Sequence, residues 1–110
     1  MEQEVLVLPD AGDGVRVIVC VAEFDQDTLE AFRQAGNPAV ADPSVRRIVL
    51  DVSRLTFADS SMLNEMLRLL RSGRLVLAGP LPPSLRRVFE LTGAGPLFPT
   101  AVSVEAARTL

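Results

Sequence analysis

Asp59, Ser60 and Ser61 are the residues of this chain best placed to do chemistry, because these small polar side chains directly precede a run, Met62 to Arg71, with helical periodicity. Such residues accept hydrogen bonds from the unpaired N–H groups of a first helical turn. On a helical wheel Met62, Leu63, Met66, Leu67, Leu69 and Leu70 share one arc, and Asn64, Glu65, Arg68 and Arg71 share the other. Carried backwards, the wheel places Ser61 on the polar arc, facing outward, and Ser60 at its boundary with the apolar arc. A hydroxyl there sits at the positive end of a helix dipole, where a phosphate group is stabilised. Phosphorylation would add roughly −1.5 to −2 of charge beside Asp59 and repel an acidic partner without unfolding the chain. The same three residues also make an ordinary helix cap, and local chemistry leaves both readings open.

Few other chemistries are supplied. All 11 basic residues are arginine, and lysine and histidine are absent. A Ser-His-Asp triad therefore has no base, a Schiff base has no lysine, and a Walker-type phosphate loop has no cation at its end. No catalytic residue is expected. One cysteine and scattered carboxylates do not make a usual zinc or copper site, so no metal and no cofactor is expected. The formal charge of −3, with no basic cluster longer than Arg46–Arg47 or Arg86–Arg87, argues against nucleic acid. Cys20 lies in an apolar run without a basic neighbour and reads as a small buried hydrophobe.

The elements that must position Asp59 to Ser61 follow from the rest of the chain. At 110 residues the chain has the size of one domain, 1–110, and no apolar run approaches the roughly 18 residues that span a bilayer. The acidic start, MEQEVLVLPD, passes straight into a strand pattern without the features of a secretory signal, so a cytoplasmic location away from membranes is expected. Glu4 to Leu8 and Val15 to Val21 read as strands joined by a turn-rich segment, the second apolar on both faces and hence interior. A helix is predicted over Thr28 to Ala35, with Asp27 as N-cap and Gly36 just past its end, followed by a loop from Gly36 to Ser44. Ile48 to Val52 is a buried strand ended by Ser53 and Arg54. After the helix that begins near Ser61 come a strand at Arg74 to Ala78, a helix from Pro83 to Leu91 stopped by Gly93, a short strand near Phe98 to Val102 and a terminal helix from Ser103. The order is ββαβαβαβα, an α/β class with a mixed central sheet of about five strands and helices packed on it.

Ile48-Val-Leu-Asp-Val-Ser followed by Phe57-Ala-Asp-Ser-Ser and a leucine-rich helix resembles the STAS domain family of anti-sigma factor antagonists and sulfate-transporter cytoplasmic domains. Ala22-Glu23-Phe24-Asp25 is similar to the family's Gly-Glu-Leu-Asp-like segment, and Leu91-Thr92-Gly93 with Leu97-Phe98 to its Thr-Gly and Leu-Phe segments. The resemblance runs from about Val15 to the end. It implies a single domain of the anti-sigma factor antagonist type, not an enzyme. Unphosphorylated, such a domain binds an anti-sigma factor that is also a serine kinase and so frees a sigma factor. Phosphorylation of the second hydroxyl switches it off. That hydroxyl corresponds to Ser61, with Ser60 as second choice, the motif's acidic residue to Asp59 and the acidic residue of the central strand to Asp51. The implied partner surface comprises Asp59, Ser60, Met62, Asn64, Glu65 and Arg68, with the acidic pair Glu23 and Asp25, and a phosphatase would reverse the modification. A monomer or weak homodimer is expected.

Met62 stands where the family usually has glycine, and it separates two functions. Exposed, it would extend an apolar docking surface on a non-phosphorylated scaffold or transporter-associated subunit; buried, it would leave Ser61 accessible to a kinase. A phosphoaspartate receiver using Asp51 lacks the lysine such domains resemble one another in having, and a hydrolase using Ser61 lacks a base.

Overall fold

Alternating apolar residues along Val15–Phe24 leave no polar face, which obliges that strand to be covered on both sides. The computed structural model, which describes residues 2–110, places it second in a five-stranded sheet of order β1-β2-β3-β4-β5. The elements are β1 (Glu4–Val7), β2 (Val15–Phe24), α1 (Glu30–Ala41), β3 (Arg47–Ala58), α2 (Ser60–Leu70), β4 (Leu75–Ala78), α3 (Pro83–Thr92), a 3-10 turn (Gly95–Leu97), β5 (Thr100–Ala101) and α4 (Val104–Arg108). β1 runs antiparallel to β2, and all other neighbours are parallel. The mixed sheet and the ββαβαβαβα order are those expected.

Ile18, Cys20, Ile48, Leu50, Val52 and Leu77 point to the side covered by α1, α2 and α3, where Phe32, Met66 and Leu85 complete the main core. Val15, Val17, Val19, Val21, Val49 and Val76 point to the other side, against Ala107 and Val104 of α4. Burial pushes the Cys20 thiol pKa up, and the nearby Asp51 carboxylate adds to the effect, consistent with a packing role.

β2 continues past Val21 to Phe24, and two further elements run through residues expected to end them. α1 does not stop before Gly36: it begins at Glu30, runs through Gly36 and Pro38 to Ala41, and has Leu29 rather than Asp27 at its N-cap, without a side-chain cap bond. Gly36 is buried where α1 crosses α2, and a Cβ there would lie 3.1 Å from Leu69 Cδ2, so the glycine serves helix packing, not helix termination. The expected loop from Gly36 therefore shrinks to the residues after Ala41. β3 likewise continues past Ser53 and Arg54. Val19 pairs with Asp51 but Val21 with Arg54, and Ala22 pairs with Leu55 but Glu23 with Phe57, so β3 twice contributes one residue more than β2. Each bulge bends the strand without ending it, and together they carry β3 to Ala58, one residue from the start of α2.

At the edge where the parallel strands begin, arginines bind helix C-termini. The Arg74 guanidinium donates to Val40 O in the last turn of α1, which has no basic residue of its own, and to Val45 O in the segment that follows, each at 2.7 Å. Arg47 donates to Ala107 O at 2.9 Å, at the end of α4. Arg108 pairs with Asp13 at 3.2 Å, and Arg16 reaches Asp10 and Asp42, each at 3.4 Å.

Candidate functional site

The opposite edge, where β2 and β3 end, carries the start of α2. Asp59 has extended backbone angles and is the N-cap: its Oδ1 accepts from Ser61 N at 3.0 Å and from Met62 N at 3.1 Å. Its Oδ2 accepts from Gln26 N at 3.1 Å, and its own N–H donates to Phe24 O at 3.4 Å. One carboxylate thus joins the start of α2 to the turn between β2 and α1. That cap was legible in the sequence, whereas the bond to Gln26 was not, since nothing local links residues 33 positions apart.

Ser60 is exposed and Ser61 half-buried, the reverse of the relative exposure that the helical wheel suggests. A wheel assigns direction by angle alone and takes no account of the β2–α1 turn tied beside Ser61 through Asp59 and Gln26. Both hydroxyls remain at the N-terminus of an 11-residue helix whose dipole favours a phosphate.

Met62 is fully buried, with 0% exposure, in the main core. It is therefore not a surface contact, which corrects its place in the expected partner surface. The wheel itself puts Met62 on the apolar arc, and the bends in β3 deliver the helix start close enough to the sheet to bury it.

Glu65 is corrected for a different reason. It lies on the polar arc, yet only 9% of the residue is exposed. Arg33 of α1 approaches its Oε2 at 3.2 Å and Arg68 its Oε1 at 2.6 Å, and Arg68 also donates to Asn37 Oδ1 at 3.0 Å. The glutamate is an α1–α2 clamp, stabilised in burial by charges on both sides. Arg68 lies three residues along the same helix and Arg33 on another, and the sequence reading paired Glu65 with neither. Arg68 is exposed but engaged with Glu65 and Asn37, and Asn64 is exposed.

Glu23 is exposed at the end of β2. Asp25 shapes the turn instead: its Oδ1 accepts from Asp27 N at 3.0 Å and from Thr28 Oγ1 at 3.1 Å, and its N–H donates to Thr28 Oγ1 at 3.0 Å. Gln3 closes the turn from the β1 side, its amide donating to Glu23 O at 2.7 Å and Thr28 O at 2.8 Å. Ala22, at the turn's root, has φ of +75° although it carries a Cβ, in the place where the resemblance has glycine. Phe57, 44% exposed and paired in register with Glu23, was not singled out from the sequence as a contact. Its signal is an aromatic residue two positions before the cap.

Asp51 lies inside β3 and accepts from Ser53 N at 3.0 Å and Ser53 Oγ at 2.7 Å, bonds that fit a bulge-forming residue. Among the described residues no group of three or more cysteine, aspartate or glutamate side chains could hold a metal ion. Nor, among those residues, is any helix long and apolar enough to cross a membrane.

Comparison with known proteins identifies the family and the fold. The family described as "Mlab, STAS domain" matches residues 9–99. The chain belongs to the STAS domain family. This STAS domain is 40% identical over 103 residues to BtrV of Bordetella bronchiseptica, provisionally named an anti-sigma factor antagonist, covering 89% of the chain and 87% of BtrV. It is similar in structure to an anti-sigma factor antagonist from Mycobacterium paratuberculosis, with a TM-score of 0.78 and 29% identity over 98% of the chain and 92% of the other. It also resembles the phosphorylated form of the Bacillus cell fate determinant SpoIIAA, with a TM-score of 0.69 and 29% identity over 94% and 96% of the two chains.

Proposed function

We propose that this STAS domain is an anti-sigma factor antagonist switched by phosphorylation of Ser61. The observation that carries the reading is the start of α2: a serine at the second helical position, capped by Asp59, in a fold shared with a protein known in a phosphorylated form. Unphosphorylated, the domain binds an anti-sigma factor that is also a serine kinase and releases a sigma factor, which places its work in the cytoplasm. Ser60, Asn64, Glu23 and Phe57 are exposed around the helix start and the β2–α1 turn, and they form the contact surface; Asp59, Glu65 and Asp25 hold it in shape. Burial of Met62 supports this reading over a constitutive apolar docking site.

The chain is the substrate in this reaction and not the catalyst. The Ser61 Oγ attacks the γ-phosphorus of ATP held by the kinase, the bond from that phosphorus to the β-phosphate oxygen breaks, ADP leaves, and the hydroxyl proton passes to a base of the kinase. A helix N-terminus then stabilises the phosphate, while its charge beside Asp59 repels the partner. Ser60 is the second acceptor, and a phosphatase resets the switch. Affinity for the anti-sigma factor tests the reading: Ser61→Asp should bind it at least about tenfold more weakly than Ser61→Ala, a difference of about 1.4 kcal/mol. Equal affinities would contradict the switch.

A further inference from the structure

The β2–α1 turn is over-determined for a surface loop. Gln3 binds it from one side through Glu23 O and Thr28 O, Asp25 closes it internally, and Ala22 holds a left-handed backbone at its root. Its side-chain tie to α2 is the bond from Gln26 N to Asp59 Oδ2, at 3.1 Å, beside the longer backbone bond from Asp59 N to Phe24 O at the turn's root. The other oxygen of that carboxylate accepts from Ser61 N and Met62 N. The two oxygens belong to one planar carboxylate, so both sets of bonds depend on the placement of a single group. A displacement of the whole carboxylate away from the helix start therefore also disturbs the Oδ2 bond to the turn.

We propose that Asp59 is a positioning residue that relays the state of Ser61 to the β2–α1 turn. A phosphate on Ser61 brings three acceptor oxygens and roughly −1.5 to −2 of charge to N–H groups already bound by Asp59, and repels the Asp59 carboxylate. Competition for those donors weakens the Asp59 grip on the helix, and with it the bond to Gln26. The modification thus alters both parts of the docking surface, adding charge at the helix and loosening the turn that carries Glu23. This rests on the reading of Ser61 as phosphoacceptor.

Amide exchange followed by NMR on the full chain tests the relay without a partner. The samples are the unmodified protein, the protein with phosphoserine encoded at position 61, and Asp59→Ser with and without that phosphoserine. Serine is a good N-cap with one oxygen on a short side chain, so it keeps the helix start and loses the reach to Gln26. Phosphoserine should speed Gln26 amide exchange about tenfold, as expected for loss of one charge-assisted hydrogen bond. Asp59→Ser should speed it comparably while Ser61 and Met62 stay within about twofold, and phosphoserine should then add nothing at Gln26. Gln26 exchange unchanged by phosphoserine in the otherwise native chain, or by Asp59→Ser, would overturn the relay. Because the phosphoserine is encoded, these outcomes are independent of any kinase. If Gln26 responds but Ser61 is never modified in cells, the relay stands and the assignment of the natural modification falls.

Discussion

Where the parallel strands begin, arginine side chains gather carbonyl groups; where they end, aspartate side chains gather N–H groups. Arg74 binds Val40 O in the last turn of α1 and Val45 O in the segment after it, Arg47 binds Ala107 O at the end of α4, and Asp59 at the second edge binds the first N–H groups of α2. The polarity is a consequence of connectivity. A helix linking parallel strands runs back across the sheet, so its negative end arrives where strands start and its positive end where strands stop. The chain answers each end with the opposite charge. The difference is that the arginine edge is cross-tied by several ion pairs, whereas the aspartate edge is held by hydrogen bonds of Asp59, Asp25 and Gln3 and leaves Ser60 and Phe57 exposed. In the proposed function, one edge supplies stability and the other the surface that a single charge changes.

The largest expected effect belongs to the core between the edges. Met66 is fully buried under α2, and Met66→Ala should cost about 2–5 kcal/mol in denaturant titration, weakening both edges together. Leu67, which the wheel alone would put in the same class, is only half-buried, so truncating it should cost less than truncating Met66. A smaller loss at Met66 than at Leu67 would show that the packed face of α2 is misassigned.

Arg74→Met sharpens the contrast between the edges. It keeps an apolar stem but removes the donors to Val45 O and Val40 O, and should lower stability by about 1.5–3 kcal/mol. Affinity for the anti-sigma factor, measured well below the melting temperature, should be unchanged, because the residue lies at the far edge. An affinity loss as large as that of Ser61→Asp would break the division of labour.

The smallest effect is on the acid side. Asp13 is held below the ordinary value of 3.8, chiefly by the Val15 N–H with help from Arg108 and Arg46. Asp42 is lowered chiefly by the Ser44 hydroxyl, then by the Ser44 N–H and Arg16. A carboxyl with a lower pKa folded than unfolded adds stability that is complete above the unfolded value and lost as pH falls through the folded one. Stability should therefore fall below about pH 4, and the double change Asp13→Asn and Asp42→Asn should flatten that decline in urea titrations at pH 2.5–4. An identical slope would show that these exposed carboxyls do not couple to folding.

What the sequence could reveal followed the same geography. Elements whose signals are local were legible: the two-faced β2, the Asp59 cap, Gly93 in a left-handed conformation after α3, and Ser103 at the start of α4. Signals that depend on a distant partner were misread. Gly36 looks like a helix stop until Leu69 of α2 is seen against it, and Ser53-Arg54 looks like a strand end until β2 reveals the extra residue. Glu65 reads as a solvated charge because Arg33 lies on another helix. In the site, Asp59 and the serines were found from residue type and spacing, while Gln26 and Phe57 became visible only when two strand ends met.

Phosphosite mapping by mass spectrometry, on the protein recovered from its own cells in growth and under stress, tests the central claim most directly. The account predicts phosphate on Ser61 whose occupancy differs between the two conditions, with Ser60 at most a minor site. Complete coverage of the peptide following Arg54 with no phosphate on either serine in both conditions would contradict it.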